Sequence, residues 1–268
     1  MKTFEVEGGV LEFDDRGEGR PLVLVHGSVF AEPWQPMLAS AGLQTNHRTV
    51  TYRRRGYGGS SPAEPGRSLH DEAADLIALV DHLGIEQANA VGHSLAADIV
   101  LQAAIDAPSR FATLTLLEPG MFTVPAAAGM DKAMAGIGHV FESGDHRQAV
   151  LLFLGGPNGA EVMAQLEKLL PGDAGERALA DAPALFALDL PAGSGWRLDE
   201  DAARSLEQPT LLALGSETSA IYRETNAELA ELLPHVERLD VQDAGHFVHL
   251  EQPRQIAESL AAFLDRNA

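Results

Sequence analysis

The run G-H-S-L-A at 92–96 holds the residues best placed to do chemistry. A strand-like stretch, Ala88–Val91, leads straight into it. A helical stripe of Ala97, Val100, Leu101, Ala104 and Ile105 leads away. A serine on so sharp a strand-to-helix bend has its hydroxyl thrust outward, ready to attack an electrophilic carbon. Strand and helix approach closely there, so positions 92 and 96 must be small. Gly92 meets that demand, and Ala96 departs from it by one methyl. The amide of Leu95 opens the helix, where a free N–H and the helix dipole favour negative charge on a developing oxyanion. A capping serine in an ordinary turn would show the same letters; the placement between a buried strand and an amphipathic helix favours the nucleophile. The chain has no cysteine, which excludes a thiol nucleophile, disulfides and thiolate metal sites. No cofactor or metal is expected.

Short apolar runs alternating with helical patterns predict a mostly parallel sheet with helices on both faces. Phe4–Glu7 and Val10–Asp14 read as a hairpin turning at Gly8-Gly9, and Leu22–Val25 as a buried strand ending at His26-Gly27. Arg48–Arg53 reads as a strand broken by R-G-Y-G-G-S-S-P, Ser68–Leu83 as a helix, and Thr113–Leu117 as a strand. From about 119 to 208 strand signals vanish, and Gly, Pro and Ala punctuate short helical stretches. This predicts a helical lid inserted into a core domain made of residues 1–118 and 209–268. The alternation resumes with strand Thr210–Leu214, helix Tyr222–Leu233, strand Val236–Val241 and a terminal helix.

These motifs, in this order, resemble the α/β-hydrolase superfamily of lid-bearing type, across nearly all of the chain outside the lid. H-G-S at 26–28, R-R-G-Y-G-G-S at 54–60, G-H-S-L-A, L-L-E-P at 116–119 and A-G-H-F at 244–247 carry the likeness. The resemblance implies Ser94 as nucleophile, His246 as general base and the backbone amides of Ser28 and Leu95 as oxyanion donors. His249 is the rival base, and His26 reads as structural. The family's D-x-R-G acid is absent, since Arg53 stands there; its loss does not touch catalysis. The usual acid after the strand Thr210–Leu214 is also missing, because G-S-E-T puts Thr218 at that position. Glu118, at the end of the strand after the nucleophile helix, is favoured as the acid over Glu217, with Asp243 a weaker third choice. The C-terminal ends of parallel strands form the functional rim, which would bring Glu118 to the crevice that Ser94 faces.

A lid rich in Met and Phe implies a substrate with an apolar moiety. Trp34, His93, Met121, Phe122, Phe153 and Phe247 are the candidates for its wall. The expected reaction is hydrolysis of a carboxylic ester or lactone through an acyl-enzyme. C–C bond hydrolysis by the same residues is the alternative, and a non-catalytic ligand-binding relative belongs to a different class. A serine in place of an aspartate nucleophile argues against dehalogenase and epoxide-hydrolase chemistry.

A formal net charge of −20 and no long basic run argue against nucleic-acid partners. No run of about 18 apolar residues predicts a membrane span, and the N-terminus lacks a secretory pattern. A cytoplasmic protein is expected, and a homodimer is compatible with the sequence.

Overall fold

A computed structural model describes residues 1–40, 43–62, 64–121, 123–170 and 172–268. Eight strands form one sheet: β1 (Lys2–Val6), β2 (Gly9–Arg16), β3 (Arg20–Val25), β4 (His47–Tyr52), β5 (Ala88–His93), β6 (Phe111–Leu117), β7 (Thr210–Gly215) and β8 (Val236–Val241). Their order is β1-β2-β4-β3-β5-β6-β7-β8. β2 is antiparallel to both β1 and β4, and every other pairing is parallel. The expected hairpin at Gly8-Gly9 is the β1–β2 turn.

Burial follows position in the sheet. β5, at its centre, is buried at every residue, because helices cover both faces. β8, at the edge, is buried only at Val241. On one face, Leu76, Leu79 and Val80 of the helix Leu69–His82 pack with Ile99, Val100 and Leu101 of the helix Leu95–Asp106. On the other, Ile256, Leu260, Phe263 and Leu264 of the helix Pro253–Arg266 pack against Leu22, Leu24 and Leu211. Ser68 caps the first of these helices reciprocally with Asp71, accepting from its amide while the Asp71 carboxylate accepts from the Ser68 amide.

Between β6 and β7 the described residues form helices joined by turns and loops, among them Met130–Glu142, His146–Gly155 and Gly159–Leu169. These build a third apolar cluster from Val150, Met163, Leu166 and Leu185. Val29 and Phe30, from the loop after β3, are part of it. The helical segment therefore grips the loop that the sequence assigns to oxyanion binding.

A buried ion network ties the two together. Arg54, fully buried, donates to the carbonyls of His26 (2.9 Å) and Gly27 (3.1 Å). Its two terminal nitrogens hold Asp189 of the helical segment at 2.8 and 3.0 Å, and one also reaches Glu72 at 3.1 Å. The Tyr57 hydroxyl donates to the same Asp189 carboxylate at 2.6 Å. Asp189 closes a π-helical turn, Leu185–Asp189, a widening of the helix often found at functional sites. Removing one member of a buried pair strands the other's charge. Asp189→Ala is therefore expected to destabilise the fold by about 3–5 kcal/mol, read as a lower midpoint in chemical denaturation. A midpoint equal to that of the wild type would refute the clamp.

Candidate active site

Among the described residues, four non-glycine residues have positive φ: Val29 (75°), Ser94 (56°), Glu118 (52°) and Asp243 (53°). Each follows the C-terminal end of a parallel strand, β3, β5, β6 and β8 respectively. Such conformations cost on the order of 1–3 kcal/mol each and persist where the surroundings impose them. Strain is thus gathered on one rim of the sheet, where an open parallel sheet places its ligands.

Ser94 sits between β5 and the helix Leu95–Asp106 with ψ −129°. Its amide donates to Leu117 O at 2.9 Å, and its carbonyl accepts from Ala97 N at 2.8 Å, so the bend is fixed at both ends. A Cβ on Gly92 would lie 2.2 Å from the Ala96 carbonyl oxygen, which is why residue 92 must be glycine. Ala96 itself is buried without such a clash. The loop after β3 runs equally close. A Cβ on Gly27 would lie 2.7 Å from His93 O and 3.3 Å from Ser94 Cβ. Ser28 and Leu95 both line the cavity beside Ser94. His26 donates through Nδ1 to Gly27 O (2.7 Å) and accepts the Arg54 amide at Nε2 (3.0 Å), which fixes this loop. Burial, with Arg54 alongside, holds its imidazole well below its usual range.

His246 follows β8. Its Nδ1 lies 3.4 Å from Glu118 Oε2. The Glu118 carboxylate, fully buried, also accepts from the Gly215 amide (2.6 Å) and the Thr218 hydroxyl (2.6 Å). Thr218, at the position where the family usually carries its acid, instead donates to the carboxylate that ends the neighbouring strand. Glu217 lines the cavity but is exposed, and its carboxylate makes no hydrogen bond to His246. The histidine loop is pinned twice more. His93 Nε2 donates to His246 O at 2.8 Å, and Glu251 accepts from the Gly245 amide at 2.6 Å.

Burial disfavours charge on both partners. It pushes Glu118 up to about 7, against the hydrogen bonds from Thr218 and Gly215, and His246 down to about 3. At neutral pH the imidazole is an uncharged acceptor, and Glu118 is near its ionisation point. An ionised Glu118 is what stabilises an imidazolium. For a neutral ester, kcat/KM is expected to fall about tenfold per unit as pH drops below about 7; a profile flat down to pH 5 would contradict this. The Glu118 contribution to stability moves the opposite way. The fold holds this proton more tightly than the unfolded chain, so the stabilisation is complete below pH 4.5 and is lost as pH rises through about 7.

Ser94 and His246 share a cavity of about 310 Å³ with Ser28, His93, Leu95, Phe153 and Phe247. Met130, Met134, Leu154 and Leu190 of the helical segment form its apolar cover. Two expected wall residues fall elsewhere. Trp34 is 2% exposed, packed among Leu22, Leu24 and Met37 and against His249, with ring centroids 4.7 Å apart and planes tilted by 39°. Its bulk fills the core beneath the site rather than the entrance. Met121 is likewise buried in the main core. Phe122 lies outside the described residues. The rival base, His249, is fully buried between His93 and Trp34, and neither of its ring nitrogens has a partner among the described residues.

The sequence reading missed Tyr222. Its ring stacks on His246, centroids 4.0 Å apart and planes at 15°, and it lines the cavity beside Ser94. The first turn of a helix following a sheet strand points at this rim, so the position held a usable signal. It also missed Asp189, a lone acid in the apolar run L-F-A-L-D-L.

Residues 20–253 match the alpha/beta hydrolase fold family, and the chain belongs to it. It is 29% identical to the dihydrolipoyllysine-residue acetyltransferase component of an acetoin cleaving system from Pseudomonas putida, over 98% of this chain and 69% of that one. It is 28% identical to a 2-hydroxymuconate semialdehyde hydrolase from Pseudomonas putida, over 93% of this chain and 89% of that one. A thermophilic esterase from Thermogutta terrifontis superposes with a TM-score of 0.76 at 22% identity, over 99% of this chain and 97% of that one.

Proposed function

We propose that the protein hydrolyses a carboxylic ester or lactone bearing an apolar moiety, through an acyl-enzyme on Ser94. His246 takes the Ser94 proton and returns it to the leaving alcohol, while Glu118 holds the imidazole's tautomer and stabilises its charged form. The amides of Ser28 and Leu95 receive the oxyanion. Residues 119–208 act as a lid, and its methionines, Leu154 and Leu190 receive the apolar part of the substrate. The observation that carries this reading is the 3.4 Å approach of a buried carboxylate to His246 on a cavity wall shared with Ser94. The cavity's apolar cover and the esterase fold neighbour support the ester class.

A second reading has a specific observation behind it. Similarity to a 2-hydroxymuconate semialdehyde hydrolase over most of both chains makes C–C bond hydrolysis the alternative. A panel of p-nitrophenyl esters of rising chain length, a set of lactones and a vinylogous diketone separates the two. Turnover of esters or lactones well above the diketone supports the first reading. The reverse ranking replaces it with the second, and no turnover of any member removes both.

A further inference from the structure

Tyr222 has no part in the Ser94–His246–Glu118 relay, yet it packs on one of its members and shares a cavity wall with another. It stands on the first turn of the helix Ala220–Leu232, half-buried, on the wall of the catalytic cavity. Its ring covers one face of His246, and it shares the cavity wall with Ser94. The groups around it keep that hydroxyl protonated. Burial dominates, and the Glu118 and Asp98 carboxyls add to it, so the phenol is pushed above its usual range. A phenol that keeps its proton is a hydrogen-bond donor, and the nucleophile on the same cavity wall offers it an acceptor.

We propose that Tyr222 is a fourth catalytic side chain, whose hydroxyl donates to Ser94 Oγ before attack and to the departing alkoxy oxygen afterwards. This rests on the acyl-enzyme reading above. Ser94 Oγ has one proton and two lone pairs. A phenol donating to one lone pair leaves the Oγ–H bond to turn toward His246 Nε2. During acylation the Oγ–C bond forms, the Oγ proton passes to Nε2, and the carbonyl π pair moves onto the oxyanion. On collapse the bond from carbon to the alcohol oxygen breaks, and Nε2 returns the proton to that oxygen. The alcohol oxygen leaves from the space between Oγ and Nε2. A hydroxyl turned into the cavity from a ring stacked on the imidazole reaches the same corner. Water enters there for deacylation and meets the same donor. The Tyr222 O–H bond breaks at no step.

A purely structural role would need only the ring, which a phenylalanine supplies. The test compares wild type, Tyr222→Phe and Tyr222→Leu by the second-order rate of labelling with a fluorophosphonate, and by kcat and KM on ethyl and p-nitrophenyl esters of one acid. Tyr222→Phe is expected to lower the labelling rate and kcat about 10- to 100-fold, with KM within about twofold. The loss should be larger for the ethyl ester, because nitrophenolate departs without help. Tyr222→Leu should lose more, having lost the stack as well. Wild-type rates in Tyr222→Phe beside an impaired Tyr222→Leu would overturn the proposal and leave the ring as packing alone. An equal loss on both leaving groups would remove the assistance to departure. If the wild type neither labels nor turns over any ester, the acyl-enzyme reading fails and this proposal fails with it.

Discussion

Ser94→Ala is expected to lower kcat on any ester the wild type accepts by about six orders of magnitude, while the fold survives. The substitution removes one oxygen and spares every backbone contact that builds the bend: Ser94 N to Leu117 O, Ala97 N to Ser94 O, and the close pass of Gly92 under Ala96. Residue 94 keeps its positive φ in either form, so the strain is common to both. Residual activity should come from the Ser28 and Leu95 amides and from substrate binding alone. The measurement is steady-state turnover of a p-nitrophenyl ester, with a thermal melt to show that the variant is folded. A folded Ser94→Ala protein that retains a tenth of wild-type activity would place the nucleophile elsewhere.

Glu118→Gln is expected to lower kcat by about four orders of magnitude, while Glu217→Gln changes it less than about twofold. Glu118 Oε2 already accepts from Thr218 and Oε1 from Gly215, which orients the remaining lone pairs toward His246 Nδ1. An amide of the same shape keeps the packing but brings no charge. Its NH2 group, if turned toward the ring, stabilises the tautomer whose Nε2 carries the proton and cannot accept one. Glu217 sits one residue before Thr218, and its carboxylate is free in solvent. Matched kinetics for the two variants discriminate between the carboxylates; a dominant loss in Glu217→Gln would reverse the assignment.

The local rules were strong enough to expose much of this in the sequence. A fully buried run before G-H-S-L-A and an amphipathic stripe after it leave few alternatives to a strand, bend and helix, and the sheet and its parallel order follow from repeating that pattern. Every predicted strand lies within a residue or two of its place in the structure. Glu118 was legible because it ends a strand at the rim where Ser94 also ends one. What the sequence hid depends on pairing between distant segments. Arg54 and Asp189 meet across the chain, and nothing local to either names the other. Trp34 failed as a wall residue because an aromatic after the oxyanion loop can turn to the core or to the crevice. The choice is set by packing against Leu22, Met37 and His249. Tyr222 was passed over because its role depends on a stack with His246 that only the folded β7 and β8 loops create.

The arrangement also joins the helical segment to the loop after β3. Val29 and Phe30 are packed into the helical segment's own core, and Arg54 ties the carbonyls of His26 and Gly27 to Asp189. The segment that lines the cavity therefore also holds the loop carrying the Ser28 amide. Enlarging the cavity without disturbing this clamp requires leaving residues 185–189 alone and changing Met130, Met134 or Phe153 instead.

The most direct test is to react the protein with a fluorophosphonate at neutral pH, digest it, and locate the added mass by tandem mass spectrometry. A single adduct on Ser94, formed at one equivalent and prevented by His246→Ala, is the expected result. Stoichiometric labelling of a different residue, or an unlabelled Ser94 in protein that hydrolyses esters, would contradict the assignment of this rim as the reaction centre.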